Sequence, residues 1–173
     1  MDKLLKMSGT LHLIAFDKQG AKLWESEAHN LIVDTGYNLI ARALGDGDDA
    51  KIVHVAVGTN GTPPAFSDTE ITDAVLLPIR LVEYLNIATV RFNFKIGYED
   101  CVGMSIQEFG LVTANNTLFS RKVRQPLEKT NEMQIVGYWD IVIFDTPEDA
   151  ANMRLIEDEA MRLTSEEENR ITN

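Results

Sequence analysis

Apolar and polar residues alternate along most of the chain with the period of two that marks a half-buried strand. In residues 9–16, Leu11, Leu13 and Ala15 share one face, and His12, Ile14 and Phe16 share the other. Asp17-Lys18-Gln19-Gly20 follows, a turn sequence that predicts a hairpin into a return strand over residues 21–33. Residues 52–57 read Ile-Val-His-Val-Ala-Val, β-branched and bounded by Gly58. Further strands are predicted over residues 76–83, 87–98, 103–113, 118–124 and 132–144, with Asn115-Asn116 as a tight turn. One segment keeps a different rhythm. Asp34 or Thr35 caps a predicted helix whose apolar positions are Tyr37, Leu39, Ile40, Ala43 and Leu44. Ser67 with Glu70 three residues later predicts a short capped helical turn. Strands do not alternate with helices, which argues against a parallel α/β sheet. The pattern predicts a mainly β chain, an antiparallel β-sandwich of about eight strands with one inserted helix.

The composition changes after residue 144. Residues 145–173 hold nine acids against three arginines, six of the eleven net negative charges. Pro147 suits the first turn of a helix. Arg154, Asp158, Arg162, Glu166 and Arg170 form a ladder of alternating charge at i,i+4 spacing. Met153, Ile156, Ala160 and Leu163 recur at spacings of 3, 4 and 3, a coiled-coil-like seam two heptads long. The chain therefore divides into a β-sandwich domain over residues 1–144 and an acidic C-terminal helical arm over residues 145–173. The arm either docks on its own domain or reaches another subunit. In the second case Met153, Ile156, Ala160 and Leu163 are the candidate subunit-contact residues. Two heptads are too short to associate alone, so a partner surface has to help.

Charge narrows the partners. Sixteen Lys and Arg stand against 27 Asp and Glu, giving a net charge of −11 and a pI near 4.6. A nucleic-acid partner calls for a basic surface, and an anionic membrane calls for clustered Lys and Arg. Neither is expected. Cys101 is the single cysteine, so no intrachain disulfide is possible, which suits a protein made in a reducing cytosol. The run Leu11-His12-Leu13-Ile14-Ala15-Phe16 is too short for a signal peptide core and ends at Asp17 without a small-residue cleavage site.

Candidate chemistry is sparse. His12, His29 and His54 stand in no metal-ligand spacing and read as strand histidines. No Gly-x-Ser-x-Gly elbow is present. Cys101 follows Glu99-Asp100, whose charge disfavours a thiolate. Gly45-Asp46-Gly47-Asp48-Asp49 concentrates carboxylates but lacks the closing glutamate of a calcium loop. Gly58-Thr59-Asn60-Gly61 follows a strand but leads into no Gly-Lys-Ser/Thr, so it is no phosphate loop. No catalytic residue, cofactor or metal is expected.

One set of motifs goes further. Asn30-Leu31-Ile32-Val33-Asp34-Thr35-Gly36 leads into the helix, and His54-Val55-Ala56-Val57-Gly58-Thr59-Asn60-Gly61-Thr62 is followed by Asp68-Thr69-Glu70-Ile71. Later come Glu108-Phe109-Gly110-Leu111, then Leu118-Phe119-Ser120-Arg121, then an aromatic-aliphatic strand over residues 136–144. Over residues 9–144 the chain resembles small virion structural proteins of tailed bacteriophages and prophages. Asn60 stands where that pattern commonly has glycine, and Ile71 where it has leucine; the acidic arm is not part of it. The resemblance implies a virion structural protein of the tail or tail-fibre apparatus, made in the bacterial host cytoplasm. Its partners would be itself, as a homo-oligomer, and other virion proteins. A capsid decoration or cement protein is the nearest alternative. A host-surface glycan-binding module is a third reading, weakened because the loops over residues 59–64 and 45–49 hold no aromatic residue. An enzyme is the fourth and has no visible constellation. Trp139, alternating with aliphatics, is expected in the core; Trp24 is open between core and contact. Glu108 is expected to face solvent.

Overall fold

The fold was analysed in a computed structural model, which describes residues 7–45 and 50–143. Two antiparallel five-stranded sheets face each other, with one helix beside them. In chain order the elements are β1 (Ser8–Asp17), β2 (Lys22–His29), β3 (Leu31–Ile32), α1 (Asp34–Gly45), β4 (Ile52–Gly58), β5 (Val75–Pro78), β6 (Leu81–Asn86), β7 (Thr89–Ile96), β8 (Ser105–Thr113), β9 (Leu118–Glu128) and β10 (Met133–Val142). The first sheet runs β2-β1-β10-β7-β6, and the second runs β3-β9-β8-β4-β5.

Ten strands stand where the alternation predicts about eight, because two predicted strands each cross from one sheet to the other. Residues 21–33 break at Asn30, whose backbone N–H donates to the Gly9 carbonyl and whose Oδ1 accepts from Trp139 Nε1. Residues 76–83 break at Ile79 and Arg80, so β5 ends one sheet and β6 begins the other. The predicted helical turn at Ser67 is absent. Asp68 instead accepts a hydrogen bond from the Ala65 N–H and closes a bend in the loop between β4 and β5.

The inner faces supply the core. Leu11, Leu13 and Ala15 on β1 meet Phe92, Phe94 and Ile96 on β7, Trp139 and Ile141 on β10, and Val55, Val57, Phe109 and Leu111 from the other sheet. Trp139 is fully buried, as its alternation predicts. Burying a side chain of that size contributes on the order of 3 kcal/mol. A second, smaller cluster lies on the outer face of the other sheet: Val33, Ala56, Ile71, Val112 and Leu118. The loop after β4 covers it, which explains why β4 and β8 are apolar on both faces. Residues 145–173, with Met153, Ile156, Ala160 and Leu163, lie outside the described residues, as do residues 46–49 of the acidic loop.

Candidate functional site

Seven of the motif residues, from three separate stretches of sequence, meet at the loop between β4 and β5. Glu108 is fully buried, against the expectation that it faces solvent. Its Oε1 accepts the backbone N–H groups of Asn60 at 3.1 Å and Thr72 at 2.8 Å, one from each end of the loop. Its Oε2 accepts from Arg121 Nε at 2.7 Å. Arg121, only 2% exposed, spends its remaining donors on the same loop: Nη1 reaches Asp68 Oδ2 at 2.8 Å, and Nη2 reaches the Asn60 carbonyl at 3.3 Å. Two buried charges are tolerable only when paired and hydrogen-bonded, and here the loop backbone supplies the missing partners.

Glycine makes the fit possible. A Cβ on Gly58 would collide with the Thr72 carbonyl and come within 2.6 Å of Glu108 Oε1. A Cβ on Gly110 would sit 2.8 Å from Ile71. The two bare positions form the hollow into which Ile71 drops. Gly58, Asn60, Asp68, Ile71, Glu108, Gly110 and Arg121 thus build a clasp that fixes the loop to the sheet.

The outer face of the first sheet carries a second polar array. His12 stacks on Tyr138 with ring centroids 4.3 Å apart, and Arg91 lies over the same ring at 3.9 Å. Because β1 and β7 flank β10, Tyr138 stands between the two. Arg91 also holds Asp140 through two hydrogen bonds of 2.7 and 2.8 Å, and that contact raises its pKa. Glu83 accepts from Asn93 Nδ2 at 2.6 Å. These cross-strand pairs stiffen the face.

An open site appears elsewhere, where the seam between the sheets is unsealed. β3 pairs with β9 only at Arg121 and Ser120. Beyond that point β9 bulges, so that Arg124, Gln125 and Pro126 lie opposite a single residue of β8. Across the gap β2 turns Trp24, Ser26 and Ala28 inward, and the last two are small. Two adjoining cavities result, of about 450 and 220 Å³, sharing Ala28, Lys122, Arg124 and Gln125. The smaller is floored by Leu11, Leu13 and Phe109. The Arg124 guanidinium lies 5.1 Å from the Trp24 ring centre, and burial pushes its pKa down. Its Nη1 is shielded from water and has no acceptor among the described residues. Trp24 is half-buried, packed against the edge of the core beside this mouth, and carries Arg124 over its ring. In the sequence, Lys122-Val123-Arg124 with Pro126 in a strand marks an edge or bulge, but nothing there locates the cavity.

The remaining candidates carry little. Cys101 is half-buried, and its thiol is pushed up first by burial and then by the Asp100 charge. Among the described residues no group of three or more His, Cys, Asp and Glu is placed to hold a metal, and no helix is long and apolar enough to cross a membrane. No protein-family model, curated protein or solved structure matches the chain.

Proposed function

We propose that this chain is a structural protein of a bacteriophage virion, of the tail or tail-fibre apparatus, that works by oligomeric assembly. The motif resemblance supports the virion part of the reading. The observation that carries the assembly part is the exposed edge at β5 and β6. Val75, Leu76, Leu81, Tyr84, Leu85 and Ile87 are all exposed there, Tyr84 to 82%. β6 pairs with β7 on one side and has no strand on the other among the described residues.

Edges that must stay single are guarded by charge, proline or bulges. The opposite edge of the same sheet, β2, is guarded in this way by Lys22, Glu25 and Glu27. β6 reads Leu-Val-Glu-Tyr-Leu-Asn, and its one charge, Glu83, is engaged by Asn93. Such an edge favours pairing with a second copy, a self-complementary contact that symmetry can close. Residues 145–173 would add the second contact through Met153, Ile156, Ala160 and Leu163. A capsid decoration protein would use the same edge and differ only in copy number.

Light scattering on the full chain tests the assembly reading. Wild type is expected to be oligomeric at micromolar concentration, and Leu81→Lys with Tyr84→Lys is expected to shift it to monomer with an unchanged circular dichroism spectrum. A wild-type monomer throughout that range would refute it.

A further inference from the structure

We infer that the mouth between β2 and β9 is a binding site for a carboxylate carried on an apolar stem. This is independent of the virion reading. Only two charged side chains line the paired cavities among the described residues, Lys122 and Arg124, and both are cationic. No acid lines them, in a chain with a net charge of −11. Arg124 is held over Trp24, and among the described residues its side chain makes one hydrogen bond, from Nε to the Gln125 carbonyl at 3.1 Å. Nη1, shielded and without an acceptor, is an incomplete half of a guanidinium fork. A carboxylate completes such a fork with paired, charge-assisted hydrogen bonds. A partner cation would meet repulsion, and a neutral polar group would form the weaker bond.

The inner cavity fixes the other end of the ligand. Its floor of Leu11, Leu13 and Phe109 offers an apolar stem removal from water. Ser26 and Ala28 leave the room, and the β9 bulge turns Arg124 toward it. The arrangement is the usual form of a ligand pocket, apolar walls with a few convergent polar groups. Two sources can present this chemistry: a small amphiphilic carboxylate, or the chain's own acidic stretch, in which Leu155 and Ile156 precede Glu157, Asp158 and Glu159.

The test uses the full chain and octanoate as probe, with octanol and octylammonium as controls of equal stem. Binding is followed by the Trp24 indole and Ala28 amide resonances. Octanoate is expected to saturate both and to bind about tenfold to a hundredfold more tightly than octanol, as a charge-assisted pair requires. Arg124→Met is expected to erase that preference. Ala28→Leu is expected to abolish binding of all three by filling the cavity, with the remaining amide spectrum unchanged. A second chain carrying Glu157→Gln, Asp158→Asn and Glu159→Gln distinguishes the sources. Tighter octanoate binding in that chain assigns the natural carboxylate to the C-terminal stretch; equal binding assigns it to a separate molecule. Absence of saturable binding in both chains, or equal binding of octanoate and octanol, would overturn the inference.

Discussion

Glu108→Gln is the sharpest probe of the clasp, because it changes charge and hydrogen-bond direction while keeping shape. The carboxylate accepts three N–H donors: Asn60 and Thr72 at Oε1, and Arg121 at Oε2. A glutamine has one acceptor end and one donor end. If its carbonyl faces the two backbone amides, its NH2 opposes Arg121 Nε–H; reversed, it opposes the amides. Either way donors meet in a site closed to water, and the buried guanidinium keeps only Asp68 as its counter-charge. Removing one partner of a buried ion pair costs about 3–5 kcal/mol. For a domain of this size each kcal/mol lowers Tm by roughly 2–4 °C, so the expected fall is on the order of 10 °C. Urea denaturation measures the energy, and hydrogen exchange at Asn60 and Thr72 shows whether the loop is what loosens. Adding Arg121→Met removes the opposed donor while Asp68, partly open to solvent, stays hydrated. The double variant should recover about 1–3 kcal/mol relative to additivity. A loss below about 1 kcal/mol in Glu108→Gln, or additive behaviour in the pair, would refute the clasp as a coupled unit.

Gly58→Ala should destabilise the chain by about 3 kcal/mol, the upper part of the usual overpacking cost, because the obstructing Thr72 carbonyl is backbone and cannot swing away; thermal melts check it. Cys101 has a folded-state pKa raised by burial and then by Asp100. Its contribution to stability is therefore complete below the ordinary thiol range and is lost as pH rises through the higher folded value. Denaturation midpoints of wild type should fall more steeply over that alkaline window than those of Cys101→Ala, and thiolate absorbance should appear late in the folded chain; matching pH profiles would contradict the assignment.

The period-two pattern locates the strands well because burial on one face is written into every second residue. It fails where the chain changes sheets. At Asn30 and at Ile79-Arg80 the interruption is only a residue or two of polar character, which alternation reads as an outward-facing position, and the change of backbone partners in three dimensions is what ends the strand. Glu108 is misread for a related reason. A lone acid between apolar neighbours looks like an outward-facing position, yet Arg121 and two loop amides, distant in sequence, make burial affordable. Trp139 is legible because alternation alone settles it. The mouth is not, since it depends on how early β3 stops and how far β9 bulges, neither of which leaves a periodic mark. Gly58, Asn60, Asp68, Ile71, Glu108, Gly110 and Arg121 stand out in the sequence, and in the fold each of them is held by the clasp.

The central claim is that this chain is a component of an assembled phage particle. Quantitative mass spectrometry of purified particles, with the major capsid protein as the internal standard, tests it most directly. The account predicts that the chain is present at a small multiple of three or six copies, as tail or fibre symmetry requires. A copy number that scales with the capsid subunits would move it to the decoration role. Absence from the particle would contradict the account.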